Sequence, residues 1–152
     1  MVADVLRKRG LYVIPSYDYA GEERDSPPRL QGFSETFPVP DLDVSGSGLR
    51  GWVEVKSKTA ATWTEITQRY EHGIAIRLRD AYLRVQAITG APVWLAVYES
   101  STGAVLAARL DELEQQKREY RGNKMDRGGT VFYPRDAFWP IDLAEFEHGF
   151  PR

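Results

Sequence analysis

Asp41, Glu54 and Lys56 are the residues of this 152-residue chain whose types and spacing could do chemistry. Val39-Pro40-Asp41-Leu42-Asp43-Val44 alternates apolar and acidic residues, and Trp52-Val53-Glu54-Val55-Lys56-Ser57-Lys58 alternates again. Period two marks a half-buried strand, and Ser45 to Gly48 is turn chemistry, so the spacing predicts a β-hairpin. In such a pleat Trp52, Glu54, Lys56 and Lys58 share one face, with Val53 and Val55 on the other. Asp41 and Asp43 share a face of the first strand, opposite Leu42 and Val44. If the apolar faces go to a common core, the charged faces meet. Two partly buried carboxylates side by side are unfavourable unless a cation sits between them. Hard divalent ions take oxygen ligands, and magnesium uses one or two carboxylates plus water and phosphate oxygens. Lys56 on that face is placed to orient or deprotonate a water, or to hold a phosphate oxygen.

The pattern Pro40-Asp41, twelve intervening residues, then Glu54-Val55-Lys56 resembles the PD-(D/E)XK nuclease motif of restriction endonuclease-like and Holliday-junction-resolvase-like proteins. The short pattern is degenerate; two strands joined by a turn make it more specific. The resemblance implies an α/β fold, a mixed central β-sheet flanked by helices in the order αβββαβ. It implies Asp41 and Glu54 as metal ligands with the Val55 carbonyl as a third, Lys56 as the catalytic lysine, Mg2+ or Mn2+ as cofactor and DNA as partner. Lys58 would assist with the phosphate. Many relatives carry a further glutamate on the first helix. Here no glutamate precedes Glu22, so Asp4, Glu22, Glu23 and Glu35 are the candidates for that ligand. A helix beside the catalytic strand often offers a glutamine or other polar group, a part for Gln86 or Gln68. RecB-like members place glutamine before tyrosine, whereas here Tyr82 precedes Gln86.

The elements that must position these residues are expected in one domain, 1–152. Residues 2–9 read as a short helix stopped by Gly10, and 11–15 as a strand. Residues 16–36, with Pro27-Pro28 and mixed Tyr and Arg, read as a loop or lid beside the site. Residues 59–64 are expected to open a helix, with Thr62 or Thr64 as cap. It should run over 65–89, with Gly73 as a break and Gly90 and Pro92 as the stop. Val93 to Tyr98 is nearly all apolar and predicts a central strand, parallel to the Glu54 strand through a right-handed crossover. A strand over 104–110, a helix over 111–118 capped by Asp111 and an edge strand over 130–134 should follow. Residues 136–152 read as an aromatic extension packed on the core.

Bulk properties narrow the classes. Zero cysteines exclude disulfides and thiolate chemistry, and two histidines argue against a His-rich metal site. No apolar run is long enough to span a bilayer and the N-terminus lacks a signal core, so a cytoplasmic protein is expected. Net charge is -2, so nucleic acid would have to meet a local basic face. Lys117, Arg118, Arg121, Lys124 and Arg127, set among glycines, read as such a face or as a solvated linker. His72 reads first as a surface or helix-capping histidine, with DNA contact or proton transfer as the alternative. The function expected is a divalent-metal-dependent endonuclease acting on DNA, with a homodimer left open. Its rivals are an inactive nuclease-like fold acting as a nucleic-acid-binding or assembly module, and a structural α/β domain with a solvated sheet face.

Overall fold

The computed structural model describes residues 2–15, 29–32, 34–46, 48–121 and 128–141. Helix α1 (Val2–Lys8) ends at Gly10, which takes a left-handed φ of 76° and donates its N–H to the Arg7 carbonyl. Glycine alone adopts that conformation without a Cβ penalty. Strand β1 (Tyr12–Pro15) follows, then β2 (Arg29–Gln31) and β3 (Thr36–Pro38), which pair as a two-stranded sheet. Part of the stretch expected as a loop is therefore a small hairpin; residues 16–28 lie outside the described residues. Strands β4 (Leu42–Gly46) and β5 (Leu49–Lys58) form the expected antiparallel hairpin, with Leu42 opposite Val53 and Asp43 opposite Trp52.

Beyond Lys58 the chain departs from expectation. Residues 59–75 do not form a helix. They form β6 (Thr62–Thr64), a turn over 65–68 and β7 (Arg69–Ala75). Ile66, Tyr70 and Ile74 have helical spacing, yet Ile66 and Tyr70 face solvent. Pairing decides the matter: β7 is hydrogen-bonded on both sides, to β6 and to a strand near the C-terminus. Gly73 is mid-strand rather than a helix break. Helix α2 (Ile76–Thr89) comes after this hairpin and stops as expected, at a left-handed Gly90 whose N–H donates to the Gln86 carbonyl.

Strand β8 (Val93–Glu99), strand β9 (Ala104–Arg109) and helix α3 (Leu110–Leu113) follow. The helix expected over 111–118 is this single turn plus a 3-10 turn, Glu114–Gln116. The helix begins at Leu110, so Arg109 holds the N-cap position and Asp111 lies within the first turn, its carboxylate bonded by Arg109 and Gln86. Strand β10 (Arg118–Tyr120), strand β11 (Thr130–Pro134) and strand β12 (Trp139–Pro140) complete the described chain. Strand β11 was expected at an edge; it lies between β10 and β7, with β7 supplying the second ladder.

Two sheets result. The larger has the order β1-β4-β5-β8-β9-β12, with β5 and β8 parallel. Its α1, β1, β4, β5, α2, β8 portion is the expected αβββαβ core. The smaller, β10-β11-β7-β6, was not anticipated. Each face of the larger sheet buries its own core. Val2, Leu6, Leu42, Val44, Val53, Trp94 and Ala96 pack on the α1 side. Val93, Leu95, Val97 and Leu106 pack on the other, against Tyr82 of α2 and Ile74, Val131 and Tyr133 of the smaller sheet. A fully buried aliphatic side chain contributes about 1.5–3 kcal/mol, so these two cores fix the tilt of β5 from both sides. Phe138 joins one core and Ile141 the other. The rest of the expected aromatic extension lies outside the described residues.

Candidate active site

Strand β5 sorts its side chains as the alternation requires. Val53 and Val55 join the α1-side core, while Trp52 packs with Tyr82 on the α2 side. Glu54 shares the Trp52 side and is almost wholly buried, at 3% exposure. Asp41 stands one residue before β4, across the hairpin from Glu54 if the register of Leu42 with Val53 is continued. Its Oδ2 accepts a hydrogen bond from the Val55 N–H at 2.8 Å. That bond ties the start of one strand to the middle of the other and holds Asp41 beside Glu54.

Glu54 Oε1 accepts a hydrogen bond from Lys56 Nζ. Glu54 Oε2 is buried and has no hydrogen-bond partner among the described residues. Burial pushes the Glu54 carboxyl above its ordinary pKa; Lys56 opposes this, the Asp41 charge adds to it, and the nearby Tyr82 hydroxyl offsets part. A buried acceptor left unpaired costs about 1–3 kcal/mol, and more when charged. Two neighbouring carboxylates with one orphaned oxygen suit a hard divalent cation, which would satisfy the lone pair and remove the repulsion. Among the described residues no group of three His, Cys, Asp or Glu side chains comes together. Asp4 is exposed on α1, on the other side of the sheet, and pairs with Arg7 at 3.1 Å. Glu35 is ion-paired with Arg84 of α2. Glu22 and Glu23 lie outside the described residues.

The other residues singled out by sequence are dispersed. Tyr82 stands beside Glu54, and Lys58 continues the Glu54–Lys56 face at the end of β5. Gln86 is occupied elsewhere: its Oε1 accepts from the Val93 N–H at 3.0 Å and its Nε2 donates to Asp111 at 3.1 Å. Gln68 sits in the β6–β7 turn with φ 52° and donates to the Glu65 carbonyl at 2.7 Å. His72 is neither on the surface nor on a helix. It is buried on β7, 3.0 Å from Glu99 and edge-on to Phe138. Burial holds its imidazole below the usual pKa, against the pull of Glu99.

Within the basic cluster, Lys117 pairs with Glu114 at 2.7 Å and Arg121 with Glu119 at 3.1 Å. Arg118 pairs with Glu71 at 2.6 Å and lies 4.4 Å above the Phe132 ring. Lys124 and Arg127 lie outside the described residues. Two carboxylate networks, one around buried Glu99 and one around buried Arg79, had no sequence signal. Glu99 accepts two hydrogen bonds from Arg135, at 2.9 and 2.7 Å. Arg79 bonds Glu114 at 2.7 Å and Glu119 at 2.6 Å, and the Tyr133 hydroxyl donates to Glu114 at 2.7 Å. Their partners are 19 to 40 residues apart, too far for local spacing to reveal.

No family model and no curated protein matches the chain. Solved structures do. The Holliday junction resolvase Hjc of Archaeoglobus fulgidus superposes with a TM-score of 0.56 at 14% identity, over 95% of this chain and 92% of that one. The fold is one shared with nucleases. D212, a nuclease from a fusselovirus, superposes with a TM-score of 0.50 at 11% identity, over 93% and 80%. A mixed α/β core flanked by few helices is thus common to all three.

Proposed function

We propose that this chain is a divalent-metal-dependent nuclease that hydrolyses phosphodiester bonds in DNA, as an endonuclease. The observation that carries the reading is Glu54: a buried carboxylate with one oxygen on Lys56, the other unpaired, and Asp41 alongside. The nuclease fold supports it, as does the resolvase's substrate class, which makes four-way DNA a natural probe. Asp41 and Glu54, with the Val55 carbonyl, would hold magnesium or manganese. The chemistry such an ion supplies is acidification of a bound water and neutralisation of phosphate charge.

This chain's own groups do the rest. Asp41, fixed by the Val55 N–H, and Glu54, fixed by Lys56, set where the reacting phosphate sits. The Lys56 ammonium orients the attacking water and stabilises charge developing on the phosphoryl oxygens. The walls of Trp52 and Tyr82 keep bulk water from the Glu54 side. The competing reading, an inactive fold that binds nucleic acid, draws on the lack of a third acidic group among the described residues.

One assay separates the two. Purified protein with magnesium or manganese is given linear, circular, single-stranded and four-way DNA, with Glu54→Ala and Lys56→Ala as controls. Divalent-dependent cutting by the parent and none by folded variants is expected. Full activity in either variant refutes the assignment.

A further inference from the structure

The face of the smaller sheet turned away from the core is partly open: Thr62 is exposed, Gly73, Ala75, Thr130 and Phe132 are half-buried, and Glu71 is buried. Thr62 and Glu71, Gly73 and Phe132, and Ala75 and Thr130 are cross-strand neighbours on it. The intervening residues of β7 and β11, His72, Ile74, Val131 and Tyr133, are buried on the opposite side. Together with Lys58, Ala60 and the β7 residues His72 and Ile74 between them, the residues of this partly open face line a cavity of about 280 Å³. Lys58 is the last residue of β5 and shares the side of Glu54 and Lys56. It lies roughly 7 Å beyond Lys56 along the strand, comparable with the separation of successive phosphates in a nucleic-acid strand. The cavity therefore begins where the strand bearing the candidate active site ends.

Its lining carries one ammonium, Lys58, and one carboxylate, Glu71. Lys58 is exposed, and its side chain has no hydrogen-bond or ion-pair partner among the described residues. Glu71 is the carboxylate in the lining, and its charge is already matched by Arg69 at 3.1 Å and Arg118 at 2.6 Å. Two guanidinium groups thus balance that carboxylate and leave the Lys58 ammonium as the uncompensated charge of the lining, in a chain whose net charge is -2. Phe132 reclines across Gly73. A Cβ there would come within 3.0 Å of the ring and 2.9 Å of Thr130 Cγ2, forcing the ring up into the cavity. The volume is just below the roughly 300 Å³ at which small-molecule pockets begin, room for one sugar–phosphate unit and not for a duplex.

We propose that this cavity is a subsite for the DNA nucleotide adjacent to the scissile bond. Lys58 takes the phosphate, Thr62 and Thr130 offer hydroxyls to its sugar–phosphate oxygens, and Phe132 forms the wall against the sugar. The assignment rests on the nuclease reading for its orientation toward Glu54 and Lys56. Lysine on a phosphate acts as a sequence-independent anchor, so its loss weakens binding uniformly and lowers the salt dependence.

Two variants test it by different means. Lys58→Gln removes the charge, and Ala60→Trp, at an exposed position of the β5–β6 connection, fills the space. Fluorescence anisotropy with a fluorescein-labelled single-stranded oligonucleotide, without divalent metal and across a salt series, gives the affinities. Thermal melting confirms that each variant is folded. Lys58→Gln is expected to weaken binding about tenfold and to lower the slope of log K against log salt by about 0.7. Ala60→Trp is expected to weaken it comparably with the slope unchanged. If the parent cuts DNA and both variants bind like the parent, the subsite is overturned and the nuclease reading stands. If the parent binds without ever cutting and both variants bind weakly, the cavity is kept as a DNA site and the catalytic reading falls.

Discussion

Glu54 on β5 and Glu99 on β8 lie on adjacent parallel strands and the same face of one sheet, Glu99 opposite Lys58. Both are nearly inaccessible, at 3% and 2%. They are nevertheless shifted in opposite directions. Two hydrogen bonds from Arg135 hold Glu99 below the ordinary carboxylate range, helped by His72 and opposed by burial. Burial, with the Asp41 charge, holds Glu54 above it: Lys56 bonds one oxygen, the Tyr82 hydroxyl offsets only part of the rise, and the other oxygen makes no well-formed hydrogen bond among the described residues. A fold that saturates one buried glutamate with a bidentate arginine leaves its neighbour short by half. Stability cannot be the reason for the shortfall, since an unpaired buried acceptor only subtracts from it. A residue that costs stability where it stands is what a functional site looks like.

The contrast can be broken at several points. The largest effect is on activity: Glu54→Gln should lower the rate of divalent-dependent DNA cleavage by about 10³-fold, read in a single-turnover assay. Next comes Arg135→Ala. It strips Glu99 of its bidentate partner and should cost about 3 kcal/mol, a fall in Tm of roughly 10 °C for a domain of this size. Denaturant unfolding would check the size, and a cost near zero would mean that His72 suffices.

Acid should expose the saturated carboxylates. Glu71, held down to about 2 by Arg118, Arg69 and its threonine neighbours against burial, contributes stability that is complete above its ordinary pKa of 4.5. That contribution is lost as pH falls from there toward about 2, as is that of Glu99 below its ordinary value. Glu54 has the opposite sign: its contribution is greatest while the carboxyl is protonated and is lost as pH rises through its raised folded pKa. The smallest effect follows. Glu54→Gln should raise the metal-free stability at neutral pH by on the order of 1 kcal/mol, and the gain should vanish in acid. A Tm series against pH for parent and variant reads both signs.

The reach of sequence reasoning follows the range of the interactions. Hairpin β4–β5 was legible because period two and a glycine turn are local, and so were the left-handed stops at Gly10 and Gly90. The convergence of Asp41, Glu54 and Lys56 followed from that hairpin alone. The β6–β7 segment was not legible. Ile66, Tyr70 and Ile74 satisfy a helical spacing, and what overrides it is pairing of β7 with β11, about sixty residues on. Gly73 shows the same: it looks like a helix break locally, and the Phe132 ring and Thr130 across the ladder explain it. The cavity beside Lys58 needs both of those strands, so its lining could not be assembled from sequence. His72 was misjudged because its partners, Glu99 and Phe138, come from β8 and from the segment following β11.

The turn of the β4–β5 hairpin lies at the opposite end of the ladder from Asp41 and Glu54, with five paired positions between. The count of twelve residues separating the two acids is thus an accident of hairpin length. Lengthening or trimming both arms together would carry the turn outward or inward and leave the carboxylates facing each other. A single residue inserted between Asp41 and Leu42 would do the reverse, turning one acid to the far side of the sheet. Descendants of this chain can drift freely in how far apart their acids are written, and hardly at all in which side of the ribbon they occupy.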